Sequence, residues 1–260
     1  MIDFLQRWIN ENHRQRGQRA LERQLVYQQE KARLLKNEER QIVIGIFQRA
    51  NLVRQRLEKF QPISGESRVL EVGSGAHGLI FGLGNEFGIG IDPLAAHYKR
   101  LFPVWQGNAQ TIAAIGEKLP FSDSSFDVVL SDNVIDHAEN PIAILEEIIR
   151  VLKPSGLFYF TVNVHHPIYS LASAAHGFWN ALGIRFELSP FADHTVHFTE
   201  SQIKQVFARL PLQIMQENSS VTGLKASNHQ LKPHNFVDRL KKIFYKNAVF
   251  ELIAIRNNET

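Results

Sequence analysis

Apolar and polar positions change their period about a quarter of the way along the chain. From Gln18 to Ile44 there is no glycine or proline, and apolar residues recur at Leu21, Leu25 and Val26, then at Ala32, Leu34 and Leu35, between Gln, Glu and Arg. That spacing predicts amphipathic helices. Gln61-Pro62-Ile63-Ser64-Gly65 breaks the pattern and marks a boundary. Beyond it come short, unalternated apolar runs, Arg68–Val72, Phe87–Ile91, Phe126–Leu130 and Leu157–Val164. Between them, Pro141 to Leu152 reads as a helix. Asn140 is its N-cap, Pro141 lies in the first turn, Ile142, Leu145, Ile148, Ile149 and Leu152 share one face, and Lys153-Pro154-Ser155-Gly156 stops it. Apolar strands joined by helices predict a mostly parallel sheet covered on both faces, a doubly wound α/β fold. Leu212–Glu217 and Ala248–Arg256 alternate or cluster as two final strands.

Ligands of such sheets bind at the carboxyl ends of the strands, so the loop after the first strand bears on function. Here the strand runs into Val69-Leu70-Glu71-Val72-Gly73-Ser74-Gly75-Ala76-His77-Gly78. Glycines let the backbone turn tightly and approach a ligand closely. The loop fits G-x-G-x-x-G, and Asp92 follows at the end of the second strand, placed to accept hydrogen bonds from ribose hydroxyls, as in an NAD site. A pyrophosphate, however, is an anion, and the ligand end is acidic: Glu71 precedes the glycines, Asp132 follows the FDVVL strand, and Asp136 comes one turn later. A cofactor bearing sulfonium and ammonium charges suits that sign better, because opposite charges attract more strongly in a partly dry cleft. For Glu71 alone, capping of a loop or helix is the competing role.

Composition narrows the chemistry. There is no cysteine among the 260 residues, which excludes thiolate nucleophiles and zinc thiolates and fits a reducing, cytoplasmic setting. The start carries charges and glutamines rather than an apolar signal region, and no run approaches a membrane span. Of the charges, residues 1–60 hold thirteen Lys/Arg against seven Asp/Glu, so the remainder is net negative although the whole is +3. The basic segment suits contact with an anionic surface or a cap over the site, against a plain solvated face. We therefore expect residues 1–61 to form a basic helical extension and 62–260 the main domain.

Further motifs lie in register with the glycine loop: Gly88-Ile89-Gly90-Ile91-Asp92-Pro93-Leu94-Ala95, then GEKLPFSDSSFDVVLSDNVIDHAENP from Gly116, then EEIIRVLKPSGLFYFTV ending at Val162. Together with VLEVGSG this order resembles a class I S-adenosylmethionine-dependent methyltransferase of the broad type 11 group, over about Arg68–Val164. The resemblance implies a Rossmann-like, seven-stranded sheet ending in a hairpin, and S-adenosyl-L-methionine as cofactor. By position, it implies that Glu71, Gly73, Ser74 and Gly75 meet the methionine part. Asp92 would bind the ribose, with Pro93 and Leu94 beside the adenosine. Glu117 and Lys118 would line the adenine, and Ser131 and Asp132 would approach the amino-acid end or the sulfur. Ile115 stands where many relatives have an Asp, and Gly107-Asn108-Ala109-Gln110 supplies a similar run earlier. Gly82 and Gly84 predict a clipped first helix.

Methyl transfer to a protonated nucleophile calls for a base. Asp136, His137, His165 and His166 stand at suitable strand ends, and His137 or His165 is the expected base; holding a loop or touching substrate is the alternative role. His165, His166, His176, His194 and His197 lack a carboxylate-rich ligand pattern, so no metal is expected. The aromatic segment 165–200 suits a substrate-side insert, and 218–247, with Lys232, Arg239, Lys241, Lys242 and Lys246, suits a basic amphipathic one. Without cysteine, or an Asn/Asp-Pro-Pro-aromatic tetrapeptide after the fourth strand, a nucleic-acid base is a poor acceptor. The expectation is methyl transfer to O or N of a small-molecule, sugar-derived or lipid-linked acceptor. Two alternatives stay open: a non-catalytic cofactor-binding scaffold acting through its basic helices, and an NAD-binding Rossmann oxidoreductase.

Overall fold

The computed structural model describes residues 21–168, 197–230, 245 and 247–258. In chain order these form α1 (21–34), α2 (Glu39–Leu57), β1 (Val69–Val72), α3 (Ile80–Leu83), β2 (Gly88–Ile91), α4 (Ala95–Leu101), α5 (Pro103–Gln106) and β3 (Gln110–Ile112). There follow β4 (Phe126–Asp132), a 3-10 turn at Ile135–His137, α6 (Pro141–Val151), β5 (Leu152–Val164), α7 (Glu200–Phe207), β6 (Leu212–Ser219), α8 (Val221–Gln230) and β7 (Ala248–Arg256). One seven-stranded sheet runs β3-β2-β1-β4-β5-β7-β6. Its first five strands pair in parallel, and β7 joins β5 and β6 antiparallel. The doubly wound, mostly parallel fold of the Rossmann-like methyltransferases is therefore present.

Unalternated strands are explained by burial from both sides: every residue of β1 is buried, and Leu70 and Val72 face one cluster while Val69 faces the other. α6 and α7 cover the first side, where Phe158, Phe160 and Phe207 pack together. α2 to α5 cover the second. α6 begins as the sequence implies, with Asn140 Oδ1 accepting from the Ala143 N–H at 3.2 Å and Pro141 in the first turn. Its inner face is Ile144, Leu145, Ile148 and Val151, however; Ile142 is exposed, and Leu152 opens β5. The KPSG stretch does not end the region as a separate loop. It forms a bulge within β5, where the pairing with β4 jumps from Phe126↔Leu152 to Val128↔Leu157.

The clipped helix is realised as α3, four residues long, closed by Gly84 at φ 67°. Gly82 lets α2 close on it: a Cβ there would lie 2.9 Å from the Ala50 Cβ and 2.9 Å from the Ile46 carbonyl. In the N-terminal extension, α2 buries Ile46, Ala50, Val53 and Leu57 in the second core, and α1 adds Leu25 and Ala32. Leu21, Val26 and Leu34 are exposed instead. Most of the predicted substrate-side and basic inserts, residues 169–196 and 231–244, and residues 1–20 of the extension lie outside the described residues. Among the described residues no helix is long and apolar enough to cross a membrane.

Candidate active site at the carboxyl edge of the sheet

Parallel register brings the acidic strand ends together. Val72 pairs with Ile91 and Glu71 with Leu130, so the glycine loop leaves β1 with Asp92 on one side and Ser131-Asp132 on the other. β4 is longer than the sequence pattern suggests and includes Ser131 and Asp132. Ser131 is fully buried, and its Oγ has no hydrogen-bond partner. Asp132 Oδ1 accepts from Thr161 Oγ1 at 2.6 Å, which aims the carboxylate from β5.

The loop itself is held from three sides. Gly73 has φ 74° and Gly75 φ 54°, the left-handed region that favours glycine. A Cβ on Gly73 would lie 2.5 Å from a Val134 methyl. Trp105 Nε1 donates to the Ala76 carbonyl at 2.7 Å, and Gln106 Nε2 donates to the Gly75 and Ala76 carbonyls at 3.1 and 3.0 Å. His77 packs against both the Phe102 and Trp105 rings, with centroids 5.2 and 5.3 Å away, and those two rings stack on each other at 5.0 Å. Burial first, then the nearby Lys31 and Arg49 charges, pushes its pKa down to about 4, so the ring is neutral at physiological pH. These clasping residues carry no motif, which is why the sequence alone does not reveal them.

Asp92 Oδ2 accepts from the Gly75 N–H at 3.1 Å and Oδ1 from the Leu94 N–H at 2.8 Å. One carboxylate thus ties the glycine loop to the turn after β2. Burial raises its pKa, and the two N–H bonds oppose that shift. Pro93 is exposed and Leu94 buried beside it.

Glu71 points inward. Its two oxygens accept from the Leu79 N–H at 3.0 Å and the Ile80 N–H at 2.8 Å, so it caps the start of α3. The carboxylate passes over Gly78, where a Cβ would lie 2.4 Å from Oε2, and this accounts for that glycine. Burial outweighs both N–H bonds and raises the pKa to about 8, with Asp132 adding to the rise. At pH 7 Glu71 therefore keeps its proton.

Glu117 and Lys118 part company. Glu117 Oε1 accepts from the Glu139 and Asn140 N–H groups at 3.2 and 3.3 Å, on the turn before α6. Lys118 is exposed. The following LPFSDSSFD segment is knitted by Arg150 of α6, which donates to the Phe121 carbonyl at 2.8 Å, the Leu119 carbonyl at 3.1 Å and the Asp123 carboxylate at 2.7 Å. Glu147 orients that guanidinium and accepts the Leu119 N–H at 2.7 Å.

The two expected bases differ in setting. His137 is half exposed in the 3-10 turn after β4, with Nε2 3.8 Å from the fully buried Asp136. His165 is fully buried after β5; its Nδ1 accepts the Asn247 N–H at 3.3 Å, and its ring lies 4.9 Å from that of His197. His176 and His194 lie outside the described residues.

A parallel sheet extended by an antiparallel β7, with a glycine turn after β1 and an acid after β2, is the arrangement of the Rossmann-like methyltransferase fold. Residues 70–160 match a family model described as a methyltransferase domain. An uncharacterized methyltransferase of a Mycobacterium strain is 36% identical over 77 residues, which is 30% of this chain and 29% of that protein. The match thus spans less than a third of that curated relative. Among solved structures, an S-adenosylmethionine-dependent methyltransferase from Methanosarcina mazei shares the fold with a TM-score of 0.53 at 18% identity, covering 78% of this chain and 97% of that one. A geranyl diphosphate methyltransferase solved with GPP and sinefungin does so with a TM-score of 0.54 at 13% identity, covering 80% and 76%.

Proposed function

We propose that this protein is an enzyme that uses S-adenosyl-L-methionine to methylate O or N of a small-molecule, sugar-derived or lipid-linked acceptor, in a cytoplasmic setting. The observation that carries the proposal is the convergence of Asp92, the Gly73–Gly75 turn and the Ser131-Asp132 strand end at one edge of the sheet. The donor set fits the cofactor: the orphaned, buried Ser131 Oγ wants a polar partner, and Asp132 offers a negative charge to an ammonium or sulfonium. The sinefungin held by the geranyl diphosphate methyltransferase, a protein of the same fold, supports the same choice.

In this assignment Asp92 takes the ribose hydroxyls, exchanging some of its bonds to Gly75 and Leu94, and Pro93 and Leu94 flank the adenosine. The Glu117-Lys118 turn borders the adenine, with Glu117 acting by fixing the turn before α6. Gly73, Ser74 and Gly75 let the backbone approach the methionine part, and Glu71 supports that loop from inside. When bound, S-adenosylmethionine supplies the electrophilic methyl. The chain's part is orientation, exclusion of water and, for a protonated acceptor, a base. His137, half exposed and beside Asp136, is better placed than the buried His165 to receive that proton. The basic extension suits peripheral contact with an anionic surface.

Competitive calorimetry with S-adenosylhomocysteine and NADH tests the assignment. S-adenosylhomocysteine should bind and NADH should not, and Asp92→Asn should weaken binding by at least about tenfold, the loss of a charged hydrogen bond. Unchanged affinity in that variant would refute the role of Asp92, and NADH binding in place of S-adenosylhomocysteine would sink the whole proposal. Transfer of a labelled methyl group to an acceptor separates an enzyme from a scaffold.

A further inference from the structure

α2 buries one face and leaves the other exposed. Ile46, Ala50, Val53 and Leu57 point into the second core. On the opposite side Gln41, Gly45, Gln48, Leu52 and Gln55 follow one another at alternating steps of four and three residues, the spacing that sets side chains in one seam along a helix. Every one of them is exposed, Leu52 by 55%, and none carries a charge. Glu38 and Lys59, also exposed, continue the same spacing at the two ends. The seam thus starts on an anion and finishes on a cation.

Gly45 is the residue of this seam that the single chain does not explain. Glycine weakens an exposed helix interior relative to alanine, and it is needed where the backbone takes positive φ or where another group comes close. Here φ is not positive, and a Cβ would meet no atom within 4 Å. The missing side chain leaves a hollow open to the outside. Leu52, two turns along, is an exposed knob of the kind that fills such a hollow.

We propose that this seam is the interface of a homodimer, in which α2 packs antiparallel against α2 of a second copy across a two-fold axis near Gln48. One register satisfies the whole seam. It lays Leu52 of each copy in the Gly45 hollow of the other, sets Gln41 against Gln55 and the two Gln48 amides against each other, and brings Glu38 beside Lys59 at both ends. Amides carry donors and acceptors alike, so they pair with their own kind, and a two-fold contact needs that self-complementarity. A nucleic acid or an anionic membrane would instead call for cations along the seam, and its one cation lies at the end. With 19 residues in α2, the strip is roughly 28 Å long and about 10 Å wide. That is the small end of specific interfaces, so the dissociation constant should fall in the micromolar range.

Sedimentation velocity of the full chain between about 1 and 300 µM tests the interface. The wild type should pass from monomer to dimer within that range, and Leu52→Glu should weaken the dimer at least about tenfold, because each copy would then bury an unpaired acid. Gly45→Gln gives the sharper reading. It fills the hollow with a better helix former, so the thermal midpoint should hold or rise while association weakens at least about tenfold. Glu38→Lys should weaken association about three- to tenfold, and adding Lys59→Glu should bring it back to within about threefold of wild type. A wild type that stays monomeric throughout overturns the proposal, as does a Gly45→Gln variant that dimerises undiminished. A dimer that Glu38→Lys leaves unchanged overturns the antiparallel register. Every substituted position is exposed, and thermal melts of all variants check that the fold persists.

Discussion

Replacing Glu71 by Gln tests how the buried carboxyl group is used. In the folded protein burial raises its pKa from 4.5 to about 8. Between those values the unfolded chain releases a proton that the folded protein keeps. The contribution of Glu71 to stability is therefore fully present below pH 4.5, and it declines as pH rises to about 8. At about 1.4 kcal/mol per unit, the decline has a ceiling of about 5 kcal/mol. Gln removes that titration but introduces a mismatch. Both Glu oxygens accept backbone N–H groups, from Leu79 and Ile80, whereas a carboxamide turns an NH2 toward one of them. The buried mismatch costs about 1–3 kcal/mol at any pH. The variant should thus be the less stable protein at pH 5, and the gap should close or reverse by pH 8.5. Urea unfolding of both proteins at half-unit steps between those limits reads the difference directly. Two curves separated by a constant amount across the whole range would show that Glu71 is ionised throughout and that the burial argument is wrong.

Three further substitutions probe the supports of the site. Gly73→Ala forces a side chain into φ 74° and against Val134, so it should destabilise by at least about 2 kcal/mol; adding Val134→Ala should relieve the steric part and leave the backbone part, both read by chemical denaturation. Trp105→Phe keeps the ring packing but loses the bond to the Ala76 carbonyl, and should cost about 1 kcal/mol because Gln106 still serves that oxygen; no loss would mean the indole N–H contributes nothing. Arg150→Lys replaces a fork reaching two carbonyls and two carboxylates with one ammonium, so amide exchange of the donors bonded within residues 119–125 should speed up, Leu119 among them, and unchanged exchange would argue against the knitting role.

Much of the frame was legible because parallel strands buried on both faces are apolar without alternation, as VLEV, FDVVL and LFYFTV are apart from Glu71, Asp127 and Thr161. Asn140-Pro141 and Gly84 announced a helix start and a helix end through their own backbone chemistry. β3 escaped because three residues, only partly buried, carry no pattern. The role of Glu71 was legible only as a choice: an acid beside a glycine turn suits either a cationic ligand or a cap, and burial selects the cap. Arg49 was hidden for a different reason. Its guanidinium donates to the His77 carbonyl and lies 3.9 Å from Asp132 Oδ2, but it is one of four arginines on α2, whose exposed face mixes charged residues with Ile44, Phe47 and Leu52, and the packing of α2 against α3 at Gly82 carries it to the end of β4.

The position of β7 has a consequence for how the chain is made. The last strand lies between β5 and β6, and Arg256 at its end donates to the Ile149 carbonyl at 2.9 Å, at the far end of α6. During translation β5 has an open flank and β6 has no neighbour until the final strand leaves the ribosome. Loss of residues from 248 onward would strip the strand between them and expose a ready template for pairing with other chains. Premature termination in this region should therefore appear in the cell as aggregated protein rather than as a soluble but weakened one.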